Sequence, residues 1–160
     1  MNQSSKKNTG KNEQDMLSAL IIDDDNWITR VFTSNTEKLG MKTLSANDPI
    51  EGIAIAVKHR PKIIFLDIYM PEVSGYTMLK ILKKIEDTAN IPVIVISGNM
   101  SRESLRSSLN YGAAGFISKP ISQKLIFEKL NEVLDSDLLG NLQMPEEDFD
   151  NGLNENLNYS

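Results

Sequence analysis

Two short segments constrain the fold more than anything else in the chain. Residues 63–66 (IIFL) and 93–96 (VIVI) are apolar at every position. A strand with one wet face alternates apolar and polar residues, so runs this dense belong to strands covered on both faces. Weaker runs at residues 20–22, 43–45 and 115–117 complete five predicted strands. Helix signals fill the gaps. One helix is predicted over residues 27–39. Asp48-Pro49-Ile50-Glu51 supplies an N-cap, a proline at the first helical position and a glutamate at the third, with Ile50, Ile53, Ala54 and Val57 on one side. A third helix starts at about Gly75 and carries Met78, Leu79, Leu82 and Ile85 at helical spacing. Ser101 caps a short polar helix reaching Asn110, and Ser122 caps the last, with Ile126, Leu130, Val133 and Leu134 as its apolar face. Five strand–helix pairs predict an α/β fold: a five-stranded parallel sheet, doubly wound, with right-handed crossovers and helices on both faces.

The ends of the chain read differently. Residues 1–16 offer almost nothing apolar to bury and are expected to form a flexible arm, with a docking segment as the weaker alternative. Residues 135–160 contain seven Asp and Glu and neither Lys nor Arg. They predict an acidic C-terminal extension, with room for a short helix near residues 137–142. That leaves residues 17–134 as one domain, for which a 40% hydrophobic content suffices. No stretch has the length and apolarity of a membrane span or a secretory leader, so a cytoplasmic protein without membrane insertion is expected. A formal net charge of -5 gives no general attraction for nucleic acid. The absence of cysteine excludes disulfides, iron–sulfur clusters and thiolate zinc sites within the chain.

The first and third strands both run into aspartate: Ile22 is followed by Asp23, Asp24 and Asp25, and Leu66 by Asp67. Open parallel sheets bind ligands beyond the carboxyl ends of their strands, where the strand order switches. If the two strands are neighbours, several carboxylates share a small volume, and a hard cation relieves their repulsion. Mg²⁺, which takes oxygen ligands from one or two carboxylates, water and phosphate, fits that set. A helix cap serves Asp25 at least as well as metal binding. The fourth strand leads into Ser97-Gly98 and the fifth into Ser118-Lys119-Pro120. Singly, a turn hydroxyl and a solvated lysine are the ordinary readings. Together, beside the carboxylates, they offer a donor and a cation to a phosphoryl group.

At this point the chain resembles the receiver, or response-regulator, family of two-component signalling. The resemblance spans about residues 17–134 and rests on IIDDD at 21–25, FLDIYMPEVSG at 65–75, PVIVISG at 92–98 and GAAGFISKP at 112–120. It implies a stand-alone flavodoxin-like receiver with strand order 2-1-3-4-5. It further implies Asp67 as phosphoacceptor and Asp23, Asp24 and Asp67 as Mg²⁺ ligands, with the Tyr69 backbone carbonyl completing the set. Ser97 matches the switch hydroxyl, Lys119 the lysine of the site, and Phe116 the aromatic that changes rotamer; a permanently buried ring is the alternative for Phe116. Tyr69 and Asn99 occupy the positions that tune phosphoryl lifetime. The Lys119–Pro120 bond is often cis in the family. Gly98 stands where alanine is commoner.

The resemblance implies a phosphoacceptor signalling domain rather than a turnover enzyme, apart from Mg²⁺-dependent self-phosphorylation and slow autodephosphorylation. Its donor would be a sensor histidine kinase or a histidine phosphotransfer protein, and its output an unidentified downstream protein. A degenerate receiver acting only as an interaction module is one rival. An aspartyl-nucleophile phosphohydrolase is a weaker one, because it wants a second acid/base and the sole histidine, His59, falls before the third strand, at the wrong sheet edge.

Overall fold

The computed structural model describes residues 16–99 and 101–145. The arm expected over residues 1–16, Met16 apart, and the acidic tail beyond residue 145 lie outside the described residues. Five strands, β1 (Ser18–Ile22), β2 (Lys42–Ala46), β3 (Ile63–Asp67), β4 (Val93–Ser97) and β5 (Gly115–Ser118), form one parallel sheet in the order β2-β1-β3-β4-β5. Helices α1 (Asn26–Lys38), α2 (Pro49–His59), α3 (Gly75–Lys84), α4 (Arg102–Asn110) and α5 (Gln123–Val133) connect and flank them, followed by a one-turn α6 (Ser136–Leu139).

Strand periodicity divides the core in two. Leu20, Ile22, Ile64, Leu66, Val93 and Val95 face one layer, where they meet Met78, Leu79 and Leu82 of α3 and Ala56 of α2. The intervening residues Ala19, Ile21, Ile63, Phe65, Ile94 and Ile96 face the other, against Phe32 of α1 and Ile126 and Leu130 of α5. All of these strand residues are essentially inaccessible, which is why β3 and β4 have no polar alternation. Helix starts follow the predicted caps: Asp48 accepts from Glu51 N, Ser101 from Ser104 N and Ser122 from Leu125 N.

Two elements depart from expectation. Helix α2 does not bury Ile50 and Ala54; Ile50 is 78% exposed, and Pro49, Gly52 and Ala56 are the buried residues, with Ile53 and Ile55 packed at the margin. The helix sits so close to the sheet that a Cβ on Gly52 would lie 2.8 Å from Ile22 Cδ1 and 3.0 Å from Met78 Cε. Its smallest residues therefore turn inward, and hydrophobicity alone misplaces the face. Packing also continues past Leu134. Leu139 and Leu142 rest on the α1/α5 core layer, and Gln143 N donates to Leu39 O at 2.9 Å, satisfying a carbonyl at the end of α1.

Candidate functional site

Strand register assembles the site. Ile22 pairs with Leu66, Asp67 with Ile96, and Ser97 with Ser118, so the carboxyl ends of β1, β3, β4 and β5 finish level with one another. Because β1 lies directly beside β3, Asp23 and Asp67 become neighbours although 44 residues of chain separate them. Both are buried, at 0% and 2% exposure, whereas Asp24 is exposed. One carboxylate oxygen from each of Asp23, Asp24 and Asp67 lies within 4.8 Å of the others. Asp25 stays out of that group and caps α1 through a 2.8 Å bond from Trp27 N. Its own backbone N–H orients Asp23, donating to Oδ1 at 2.9 Å.

Lys119 reaches the acids from the end of β5. Its Nζ donates to Asp23 Oδ2 at 2.9 Å and stands 3.4 Å from Asp67 Oδ1. The Lys119–Pro120 peptide is cis, and Lys119 N donates to Ser97 O at 2.9 Å, which ties the β5 exit to the β4 exit. Burial first, then the charge of Asp23, raises the Asp67 pKa above the ordinary 3.8, against the opposing pull of Lys119 and the Tyr69 backbone N–H. Burial works against the Lys119 ammonium too, but hydrogen bonds and charge from Asp23 and Asp67 outweigh it and raise its pKa above 10.5. Three carboxylates against one ammonium leave an excess of negative charge. The donor set contains only oxygen and sits partly out of water, which suits a hard divalent cation such as Mg²⁺.

The loop after β3 is held by close packing at Gly75. A Cβ there would come within 2.4 Å of Asp67 O and 2.5 Å of Ile68 Cα, both backbone atoms that cannot rotate aside. Gly75 N also donates to Ile68 O at 3.0 Å. The glycine thus fixes the start of α3 against the peptide that follows Asp67. Ser97 is fully buried; its hydroxyl donates to Asn99 O at 3.1 Å and accepts from Asn99 N at 3.2 Å. Asn99 and Tyr69, two residues beyond Ser97 and Asp67, are exposed. Phe116 is half-buried against the α3-side core, with Lys129 Nζ 5.4 Å from its ring centroid. Nothing lies within 4 Å of the place a Cβ would take at Gly98. His59 is exposed at the end of α2, before β3 begins, on the opposite edge of the sheet.

Two features were not read from the sequence. An apolar groove of about 360 Å³ lies beside Lys119, lined chiefly by Trp27, Ile28, Val31, Pro120 and Ile121. Its residues come from α1, the β5–α5 turn and, at Gly98, the β4–α4 loop, and only their tertiary proximity reveals it. Asn47, at the exit of β2, donates from Nδ2 to Asp23 O at 2.9 Å. The signal was its place just beyond a strand that neighbours β1.

Comparisons with known proteins agree with this geometry. The family model described as the response regulator receiver domain matches residues 19–131. The polar-differentiation response regulator DivK of Brucella anthropi is 31% identical over 117 residues, covering 73% of this chain and 95% of that protein. The protein PilH of Pseudomonas aeruginosa is 29% identical over 119 residues, covering 74% and 98%. The DNA-binding dual master transcriptional regulator RpaA of Synechocystis sp. is 32% identical over 119 residues, and there the match spans only 49% of the relative's length. The chemotaxis protein CheY4 of Vibrio cholerae superposes with a TM-score of 0.71 at 25% identity, over 74% of this chain and 99% of that one. The chain belongs to the response regulator receiver domain family, whose members are phosphoacceptor modules of two-component signalling and not turnover enzymes.

Proposed function

We propose that Asp67 carries the phosphoryl group and that Asp23, Asp24 and Asp67, with the Tyr69 backbone carbonyl, hold Mg²⁺. The observation that carries this reading is a buried aspartate at a strand end, within 4.8 Å of two further acids and 3.4 Å from a lysine ammonium. An oxygen of Asp67 attacks the phosphorus of a phosphohistidine; the new P–O bond forms as the P–N bond breaks, and the imidazole leaves as the neutral base after taking up a proton from water. Held by Asp23, Asp24, Asp67 and the Tyr69 carbonyl, Mg²⁺ would supply positive charge to offset the negative charge on the phosphoryl oxygens. Lys119 contributes a second cation from the β5 side, and its present partners Asp23 and Asp67 hold it there. Ser97 leaves its bond to Asn99 O to donate to a product oxygen, and Phe116 moves into the space released. Tyr69 and Asn99, both exposed, govern the approach of the water that hydrolyses the acyl phosphate.

The donor is a histidine kinase or histidine phosphotransfer protein. Its docking surface includes the groove between Trp27 and Ile121, which opens beside Lys119 and so offers apolar contact within reach of the acceptor. Such kinases draw on ATP, and we read the reaction as cytoplasmic on that ground. No described helix is long and apolar enough to cross a membrane. The output partner is a protein, not nucleic acid. The phosphohydrolase reading is the weaker one, since the sole histidine, His59, sits at the opposite sheet edge and the neighbouring Asp23 and Asp24 serve as metal ligands in this proposal.

The test is labelling with acetyl phosphate, with and without Mg²⁺, alongside direct Mg²⁺ titration. Wild type takes one phosphoryl group only when Mg²⁺ is present. Lys119→Ala leaves Mg²⁺ binding largely intact but loses about 100-fold or more in labelling rate, as removal of a group that stabilises transition-state charge does. Equal labelling in chelator, or a Lys119→Ala variant as fast as wild type, contradicts the mechanism.

A further inference from the structure

We infer that Asn47 is a positioning residue of the metal site: it fixes the peptide between Asp23 and Asp24 and so holds the Asp24 carboxylate within reach of Asp23 and Asp67. This rests on the reading of those acids as Mg²⁺ ligands. The parallel ladder between β1 and β2 has its last residue pair at Ile22 and Ala46, and its last backbone bond runs from Asp23 N to Ala46 O at 3.2 Å. Beyond Ala46 the chain turns away into α2, so the next rung comes from a side chain, Asn47 Nδ2 to Asp23 O at 2.9 Å. That oxygen belongs to the peptide unit joining the two acids. A peptide unit is planar, so fixing its oxygen also fixes its N–H and the Cα of Asp24.

The β2–α2 turn does not need this bond to close. Asn47 N donates to Glu51 Oε2 at 3.3 Å, Asp48 Oδ1 accepts from Glu51 N at 2.8 Å, and Gly52 N donates to Asp48 O at 3.0 Å. The Asn47 amide therefore serves the acidic loop and not its own turn. Asp24 is the ligand that most needs such help. Asp23 is held by Lys119 and by Asp25 N, and Asp67 by Lys119 and the Tyr69 backbone, whereas Asp24 is exposed. Partners that orient ligands typically contribute 10–100-fold to metal affinity; one bond acting through a peptide plane belongs near the lower end.

The experiment titrates Mg²⁺ into wild type, Asn47→Ala, Glu51→Ala and Asp24→Asn, following heat or the emission of Trp27, the sole tryptophan, whose backbone N–H is bonded to Asp25. Asn47→Ala is expected to raise the Kd about tenfold. In acetyl phosphate labelling it raises the half-saturating Mg²⁺ by the same factor and leaves the plateau rate unchanged. Glu51→Ala, which loosens the same turn but keeps the Asn47–Asp23 bond, changes the Kd less than about twofold. The inference is overturned if Asn47→Ala binds as tightly as wild type, or if Glu51→Ala weakens binding equally, for then general loosening of the turn is responsible. If instead wild type binds no Mg²⁺, or Asp24→Asn leaves its affinity unchanged, the metal-site reading itself falls and the inference with it.

Discussion

Asp67 is a residue whose environment opposes its ionisation. Burial and the charge of Asp23 favour the protonated acid in the folded chain, and Lys119 offsets only part of that. Since the folded-state pKa lies above the unfolded value near 3.8, the unfolded chain gives up its proton first as pH rises. Stability therefore falls through that window, and the full penalty persists above the folded-state pKa. Asp67→Asn should consequently raise stability in chelator at pH 7 by about 0.5–2 kcal/mol, the range usual when a functional compromise is relieved. The advantage should shrink as pH drops and vanish below 3.8, where the carboxyl is protonated in both states. Urea unfolding of both proteins at stepped pH measures this; an Asn variant no more stable than wild type at pH 7 contradicts it. At this scale the sequence exposed the acids plainly, because each follows directly on an apolar strand. It did not expose the Asn47 contact to Asp23, since a lone asparagine after a strand most often closes its own turn.

Among the elements, β4, α4, β5 and α5 form the surface best placed to report the state of the site. Ser97 ends β4, Phe116 lies in β5, and α4 buries little besides Ser108. Tyr76 of α3 donates from its hydroxyl to Ser104 O at 3.2 Å and meets Tyr111 edge-on at 5.8 Å, so α4 is also tied to the helix that follows the Asp67 loop. A helix with so small a buried face has little packing energy to resist displacement. A phosphoryl mimic should therefore shift the amide resonances of residues 101–110, 116 and 122–134 by two-dimensional NMR; changes confined to the Asp23–Asp25 and Asp67–Tyr69 loops would leave the switch without support. Element positions were largely legible because caps, prolines and dense apolar runs act locally. The inward face of α2 was not, because it is set by how closely Gly52 approaches Ile22 and Met78, a distance no periodicity encodes.

The described residues form one doubly wound sheet whose switch in strand order, with β1 and β3 adjacent, creates the site. Parallelism followed from the alternation of strand and helix signals, but the order itself came from resemblance, since nothing local distinguishes one order of five parallel strands from another. The lower edge extends further than composition indicates: Leu139 and Leu142 cover the α1/α5 core layer, and Gln143 completes the end of α1. A chain ending at Leu134 should be less stable than one ending at Pro145 by about 2 kcal/mol, the burial of roughly one large apolar side chain. Urea midpoints of the two truncated proteins provide the comparison, and coincident midpoints would show that this packing contributes nothing. The central claim concerns one covalent bond. With Mg²⁺ and acetyl phosphate, mass spectrometry of the digested protein should find one phosphoryl group, on the peptide containing Asp67, labile to alkali and hydroxylamine as an acyl phosphate is. Asp67→Asn should abolish it; a label that maps to Ser97, or an Asn variant labelled as fast as wild type, would contradict the account.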